Sequence, residues 1–382
     1  MRYLGSVQIL RGLAALAVTI AHTHSQVAWW ATYLHYDNPM PGLVTGAAGV
    51  DLFFVISGFV MVYTNVNGFG SLDGAKQFLL RRMIRIVPLY WLGTFVYLAA
   101  IVFTGHTWAQ LDLTDKNVLC SLFFVPCLRP SGTWEPALTQ GWSLSYEMFF
   151  YLCFTVTLLL PRRISIPCLA AALCYAAFRG APFQVPYPLQ VLLNTMLLEF
   201  VFGMLIGWAC VEQVRVPGWL ATMAVVLGVA GLLACAIFDL ETSIDRPWRW
   251  GLPCALVVFG MVFRPDVKGW QPLKILGNMS YSLYLFHGFV MMGIQAGIQK
   301  VFPNTLMPLA HNAWAYAVFI VIASIAGSYA IYVLIERPVT RWLQKRPSGR
   351  ISLAHDDLLG RTVAAGVAVG AREAPAVLAP TP

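Results

Sequence analysis

Long apolar runs alternate with short polar connections along most of the chain. A run of about 20 apolar residues can cross the hydrocarbon core of a bilayer as one α-helix. The windows of this kind are residues 6–24, 45–64, 83–104, 142–160, 166–178, 189–211, 218–238, 249–263, 278–298 and 313–335. The fifth and eighth are short for a full crossing, so tilted, broken or re-entrant segments are alternatives there. The pattern predicts an all-α, polytopic integral membrane protein with about ten transmembrane helices.

Composition and charge agree with a membrane location. Of the 382 residues, 58% are hydrophobic and 11% are charged, whereas a typical soluble domain is about 25% charged. The net charge is +8, but the basic residues form short clusters between apolar runs, which is typical of topology signals rather than of a nucleic-acid-binding stripe. Alternating the connections between two sides puts sixteen lysines and arginines on one side and six on the other. The positive-inside bias then predicts that both termini are cytoplasmic.

The chain is predicted to have one membrane domain and one tail. Residues 1–345 form the transmembrane domain, and residues 346–382, which are rich in Ala, Pro and Gly, are predicted to be a disordered cytoplasmic tail. The eight cysteines lack the spacing of metal ligands, so no metal site is predicted. Cys120 and Cys127 share a polar connection and can form a disulfide if it faces an oxidising compartment; two free thiols are the alternative.

Six ionisable residues interrupt the apolar windows: Arg11, His22, Asp51, Glu147, Glu199 and His287. A charge near the bilayer centre costs at least about 2.5–3.5 kcal/mol on insertion scales, so such residues normally face protein or a polar cavity. Arg11 and His22 are eleven residues apart, which on a helix is about 20° past three full turns and about 16 Å of rise. They are therefore expected to share one helix face.

His22, Asp51 and Glu147 all lie near the outer ends of their predicted spans. Their comparable depth makes them a candidate catalytic layer, in which a carboxylate beside the histidine would orient it as a general base for a hydroxyl proton. The alternative is that each polar group hydrogen-bonds a neighbouring helix. The same alternative applies to Glu199 and to His287, for which helix packing and catalysis are both open.

Arg81, Arg82 and Arg85 form a one-turn basic cluster where the third window begins on the cytoplasmic side. Arginine binds phosphate oxygens in a bidentate manner, so the cluster is suited to a polyphosphate ligand. A membrane anchor or lipid-headgroup contact is the alternative.

Six motifs occur in an order that resembles the membrane acyltransferase-3 family of bacterial polysaccharide and peptidoglycan O-acetyltransferases. They are ILRGLAALAVTIAH with its R-x10-H spacing, GVDLFFVISGFVM, RRMIRIVPLYW, GWSLSYEMFFYL, LGNMSYSLYLFH and IERP. The resemblance covers roughly residues 5–345. In the fourth motif, family members often have two adjacent acidic residues, whereas here Met148 follows Glu147.

The resemblance implies a membrane enzyme of the bacterial inner membrane that transfers an acyl group, expected to be acetyl from acetyl-CoA, to a carbohydrate hydroxyl. It implies His22 as the catalytic histidine with Arg11 as its partner, joined by Asp51 and Glu147 from the candidate layer. Arg82 and Arg85, with Arg81, are the expected contacts for the CoA donor. Trp142, Ser143 and His287 are the expected substrate contacts. No tightly bound cofactor is expected.

Three questions stay open at this stage. His22 either deprotonates the sugar hydroxyl or carries the acyl group itself. The acceptor is an exopolysaccharide, cellulose or a lipid-linked sugar precursor, and a polysaccharide-synthesis complex is an expected partner. The alternatives to an enzyme are a transporter that uses the same buried charges as a pathway, and a non-catalytic membrane subunit of such a complex.

Overall fold

The computed structural model describes residues 4–40, 44–103, 105, 112–179, 187–238, 246–264, 270–301 and 309–345. Within these ranges the regular elements are helices, and the sole β feature is an isolated bridge between Leu128 and Trp134. The all-α prediction is therefore confirmed. The predicted tail, residues 346–382, lies outside the described residues.

The helices follow the apolar windows closely. They are α1 (Gly5–Leu34), α2 (Ala48–Thr64), α3 (Leu72–Phe103), α4 (Asp115–Leu122), α5 (Gly141–Thr157), α6 (Arg162–Arg179), α7 (Tyr187–Leu192), α8 (Leu197–Val211), α9 (Gly218–Ile237), α10 (Leu252–Phe263), α11 (Gln271–Asn278), α12 (Ser280–Ala296), α13 (Ala313–Ile331) and α14 (Arg337–Gln344). A π-helical turn, Pro247–Gly251, leads into α10, and another, Tyr332–Glu336, joins α13 to α14.

Four helices are long and apolar enough to cross a membrane: α1, α3, α9 and the continuous helix Ala313–Gln344. The helices in the remaining windows are shorter, so ten full crossings and the cytoplasmic termini stay predictions. The sixth window departs from the predicted single helix, because it is broken between α7 and α8. Asn194 explains the break: its side chain accepts a hydrogen bond from the main-chain N–H of Met196 at 2.9 Å and donates to the carbonyl of Val191 at 3.0 Å. It thereby replaces helical hydrogen bonds.

Polar connections between the helices come together at one end of the bundle. The main-chain N–H of Gly70 donates to the carbonyl of Leu158 at 2.8 Å, joining the α2–α3 and α5–α6 connections. Arg162 and Glu212 form an ion pair at 2.7 Å between the α5–α6 and α8–α9 connections. We call this end of the bundle the Arg11 end, and the opposite end the His22 end.

The connection between α3 and α5 folds over the His22 end. Cys120 and Cys127 form a disulfide in it, as the sequence allowed. Thr114 caps the start of α4 by accepting a hydrogen bond from the main-chain N–H of Asn117, and the Asn117 side chain donates to the carbonyl of Leu128 at 2.8 Å. Ser121 hydrogen-bonds the hydroxyl of Tyr90 on α3 at 2.8 Å, which ties the connection to the bundle.

Small residues let α2 and α8 approach closely. A Cβ added to Gly207 would stand 2.8 Å from the carbonyl oxygen of Phe59, and one added to Gly58 or Gly203 would meet main-chain atoms of the facing helix still closer. Lipid tails are as apolar as side chains, so helix association in a membrane depends on such close van der Waals packing. This pair positions the part of α2 that borders the candidate site.

Candidate functional site

A cavity of about 90 Å³ lies between α1, α2, α3, α5 and α12. Its lining on α2 runs from Val50 to Met61, which is about 16 Å along a helix. The cavity is thus long and narrow, with the Arg11 end lined by arginines and the other end lined by aromatic and hydroxyl side chains. Five residues singled out in the sequence line it together: Arg11, Arg82, Arg85, Ser143 and Glu147.

The arginines make the Arg11 end strongly basic. Arg11 donates from Nη2 to Ser280 Oγ at 3.0 Å, and the charges of Arg82, Arg85, Glu147 and Glu336 act on it. Three guanidinium groups therefore share a half-buried region with two carboxylates. The surplus positive charge and the planar donors suit an anionic ligand with phosphate oxygens.

Arg82 and Arg81 point in different directions although they are adjacent in sequence. The guanidinium of Arg82 lies over the rings of Phe78 and Tyr151, at 5.7 and 5.9 Å from their centroids, which orients it at the cavity. Arg81 instead donates to Asn65 Oδ1 at 3.1 Å and is not among the cavity-lining residues. Arg81 is only about 40° around the helix from Arg85, which lines the cavity, so the two share a helix face. The hydrogen bond to Asn65, rather than helix geometry, is what distinguishes the Arg81 side chain.

Glu147 lies at the middle of the cavity and is held by two hydroxyls. Ser57 Oγ donates to its Oε1 at 2.7 Å, and the hydroxyl of Tyr151 donates to the same oxygen. The sequence predicted Glu147 as a site residue but singled out neither Ser57 nor Tyr151. Tyr151 follows Glu147 by four residues, so the two share a helix face, whereas Ser57 is on another helix and no spacing marks it as a partner.

An aromatic and hydroxyl cluster closes the cavity toward the His22 end. The hydroxyl of Tyr284 hydrogen-bonds Ser143 Oγ at 2.6 Å and donates to the carbonyl of Gln140 at 3.0 Å. Phe53 packs edge-on against Tyr284, with ring centroids 5.9 Å apart. We call Phe53, Ser143 and Tyr284 the constriction. His287 follows Tyr284 by one helical turn on α12.

His22 and His287 lie just beyond the constriction and contact each other. Nδ1 of His22 is 3.3 Å from Nε2 of His287. Nδ1 of His22 also lies 2.9 Å from the carbonyl of Val18, and Nδ1 of His287 lies 2.9 Å from the carbonyl of Leu283. Because a carbonyl oxygen only accepts, both Nδ1 atoms must carry the proton. We therefore assign the neutral rings as Nδ1–H tautomers, which leaves a lone pair on Nε2 of each.

The two histidines differ in exposure. His287 is fully buried, whereas His22 is exposed. Nε2 of His287 faces His22, so His22 Nε2 is the unprotonated ring nitrogen of the pair that remains available to a reactant. His22 is not among the cavity-lining residues, so the constriction stands between the histidine pair and the arginines.

Asp51 takes part in a different cluster from the one expected. Its carboxylate accepts two hydrogen bonds from Arg246, at 3.0 and 2.9 Å, and it is fully buried. The Arg246 guanidinium lies over Trp142 and Trp250, at 5.7 and 4.9 Å from the ring centroids. The buried carboxylate of Glu199 interacts with both charged groups.

The predicted layer of His22, Asp51 and Glu147 is thus divided among three sets of partners. Across the described residues, neither carboxylate hydrogen-bonds His22. The partner of the His22 ring is His287, where a carboxylate was expected. Depth along a helix does not fix the direction in which a side chain points. Arg246 was interpreted from sequence only as a topology signal, and Glu336 of the IERP motif was given no role.

The chain is similar in sequence to known acyltransferases. The acyltransferase-3 family model, described as an acyltransferase domain, matches residues 4–333. The exopolysaccharide production protein ExoZ of Rhizobium meliloti is 33% identical over 310 residues, covering 78% of this chain and 90% of that protein. The acyltransferase MdmB of Streptomyces mycarofaciens is 28% identical, covering 90% and 93%.

The O-acetyltransferase OatA of Staphylococcus aureus is 23% identical over 75% of this chain and 50% of its own length. No solved structure matches the chain at a significant level.

Proposed function

The chain belongs to the acyltransferase-3 family, and from this premise we propose that it transfers an acetyl group from acetyl-CoA to a hydroxyl of a bacterial exopolysaccharide or its lipid-linked precursor. The single observation that carries the proposal is the narrow cavity that begins at half-buried arginines and ends one helical turn from the histidine pair. Such an arrangement suits a donor with a phosphate-rich head and a long, thin reactive arm.

In this proposal the head of the donor binds at the Arg11 end. Arg82 and Arg85 contact its phosphate oxygens, and the ring contacts of Arg82 keep the guanidinium in place. Arg11 is held by Ser280 and adds positive charge deeper in the cavity. The pantetheine arm then extends past Glu147 toward the constriction, where Tyr284 must move for the thioester to reach His22.

His22 acts as the general base. Its Nε2 takes the proton of the acceptor hydroxyl while the hydroxyl oxygen attacks the thioester carbonyl carbon. The carbon–sulfur bond breaks, the CoA sulfur leaves as a thiolate, and the proton on His22 is available to neutralise it. His287 is a positioning residue, because its Nε2 lone pair faces the Nδ1–H of His22 and would stabilise the protonated ring.

The enzyme is proposed to be a multi-pass protein of the bacterial inner membrane, with the Arg11 end in the cytoplasm. The excess of basic residues at that end supports this orientation. The disulfide at the opposite end supports it independently, because disulfides persist in oxidising compartments and are rare in the cytosol. The donor thus enters from the side where CoA is made, and the acceptor meets His22 on the other.

The test uses purified protein in nanodiscs with labelled acetyl-CoA and de-O-acylated exopolysaccharide. Wild type should form O-acetylated polymer, and His22→Ala should be slower by about 10²–10⁴-fold, as expected for loss of a general base. His24→Ala is the matched control, because His24 lies about 200° around the same helix and should retain activity. Equal rates for wild type and His22→Ala would contradict the assignment of the base.

The same assay separates the competing functions. A transporter or a non-catalytic subunit would give no labelled polymer with purified protein. An acyl-histidine intermediate would be trapped by acid quenching after incubation with the labelled donor alone, whereas a general base leaves the quenched protein unlabelled.

A further inference from the structure

The outer end of α1 extends well beyond the membrane core. α1 has 30 residues and is therefore about 45 Å long, whereas the hydrocarbon core is about 30 Å thick. If the helix enters the core near its first residue, the last ten or so residues project past it. His22 then lies close to the outer boundary of the core, and residues beyond it are in contact with headgroups and water.

Two aromatic rings are stacked on this projecting segment. The rings of Trp29 and Tyr33 are nearly parallel, at 11°, with centroids 5.0 Å apart. Both are exposed, Trp29 at 40% and Tyr33 at 51%. Trp30 is fully buried and packs edge-on against both rings and against Tyr316 of α13. The buried ring of Trp30 therefore supports the exposed rings of Trp29 and Tyr33.

The aromatic pair lies on the His22 face of α1. Trp29 is seven residues beyond His22 and Tyr33 is eleven beyond it, which corresponds to about 20° on either side of His22 around the helix. Their heights above His22 are about 10 and 16 Å. Both rings are therefore on the same face of α1 as His22, about two and three helical turns beyond it.

We propose that Trp29 and Tyr33 form a binding platform for the sugar chain of the acceptor; this rests on the function proposed above. The C–H face of a sugar ring is apolar and its rim is polar, so it can lie flat on an exposed aromatic ring that is flanked by water. A chain seated on the platform runs along α1 toward His22. Several sugar units are then bound at once, and one hydroxyl reaches Nε2.

Anchoring at the membrane interface is the competing explanation, because Trp and Tyr are enriched there. An anchor needs only to be at the right depth, whereas a platform must also be on the His22 face. Trp314 provides the matched comparison: it is 54% exposed near the start of α13, close along the helix to Tyr316, which contacts Trp30. It is thus at similar depth but on a different helix.

The experiment measures binding of de-O-acylated exopolysaccharide to the full chain in nanodiscs, without donor, alongside acetyl transfer to polymer and to a single sugar. Trp29→Ala and Tyr33→Ala should each weaken polymer binding and raise its KM about tenfold, while transfer to the single sugar is unchanged. Trp29→Phe should bind polymer as wild type does. Trp314→Ala should also behave as wild type.

Two results would overturn the platform. One is polymer binding by Trp29→Ala and Tyr33→Ala that equals wild type in correctly folded protein, checked by the elution volume of the nanodiscs. The other is an equal loss in Trp314→Ala, which would indicate anchoring. Failure of the proposed function is a separate observation, since wild type would then bind polymer in the donor-free assay but form no ester.

Discussion

The ion pair between Asp51 and Arg246 allows the role of Asp51 to be decided by measurement. Its depth near His22 suggested a catalytic carboxylate, whereas its two hydrogen bonds to Arg246 suggest that it joins α2 to the start of α10. Asp51→Asn keeps the shape of the side chain and removes the charge. If the structural role is correct, this change should lower stability and leave the chemistry of a folded enzyme nearly intact.

The expected loss of stability follows from the burial of the ion pair between Asp51 and Arg246. Removing one partner of a buried ion pair typically costs about 3–5 kcal/mol, because the other charge is left without compensation. Asp51 is 0% exposed but the Arg246 side chain is 21% exposed, so we expect the lower end, about 3 kcal/mol. Arg246→Gln should cost more, because it leaves Asp51 and Glu199 facing each other without the cation between them.

The assay is a double-mutant cycle on detergent-solubilised protein, with unfolding followed by tryptophan fluorescence. Asp51→Asn, Arg246→Gln and the double variant should give a coupling energy of about 2 kcal/mol, within the range for residues in direct contact. The double variant should be only about 1 kcal/mol less stable than Arg246→Gln alone, whereas an uncoupled Asp51→Asn would lower stability further by about 3 kcal/mol. Acetyl transfer measured on the same samples below their unfolding transitions should stay within a few-fold of wild type.

One result would refute this reasoning. If Asp51→Asn unfolds at the same denaturant concentration as wild type but transfers acetyl groups more than about 10²-fold more slowly, the carboxylate acts in the reaction as a general acid or base would. The ion pair between Asp51 and Arg246 would then exist only in the resting enzyme and would break during the reaction.

Three further predictions concern the donor site, the helix packing and the topology. Arg82→Lys keeps the charge but loses the planar guanidinium, so the KM for acetyl-CoA should rise about tenfold, while Arg81→Lys, the control, should not change it. Gly203→Val should destabilise the protein by about 3 kcal/mol, since its new side chain would collide with the main chain of α2; Gly293→Ala, which meets nothing within 4 Å, should be neutral or slightly stabilising in thermal unfolding. Alkylation followed by mass spectrometry should modify two more thiols after reduction than before it, because the disulfide of the α3–α5 connection protects them; equal counts would contradict an oxidising environment.

The secondary structure could be predicted from sequence because apolar runs are set by the thickness of the bilayer. The departures have local causes that hydropathy does not record. The break before α8 depends on one amide side chain, Asn194, that satisfies the main chain as a helix would. The extension of α1 to Leu34 passes through polar residues that an apolar window excludes, although they form helix readily when the helix is already nucleated.

The site could be predicted only in part. Arg11, Arg82, Arg85, Ser143 and Glu147 do line one cavity, and spacing within a motif indicates which residues share a helix face. Contacts between helices are a different matter, since they depend on how each helix is rotated about its own axis. The pairing of Asp51 with a residue 195 positions away therefore could not be derived from depth.

The way in which α1 and α12 share the site restricts how the proposed reaction can proceed. α1 is a continuous helix from Gly5 to Leu34, so the relative positions of Arg11, His22 and the aromatic platform are fixed by one rigid element. Tyr284 of the constriction and His287 both belong to α12, one turn apart, and Arg11 is tied to Ser280 at the start of the same helix. A movement of α12 that opens the constriction to the thioester would therefore also change the contact that orients His22. The passage of the donor through the constriction and the orientation of His22 are then coupled through α12. α1 keeps the distance between the donor head and the acceptor constant.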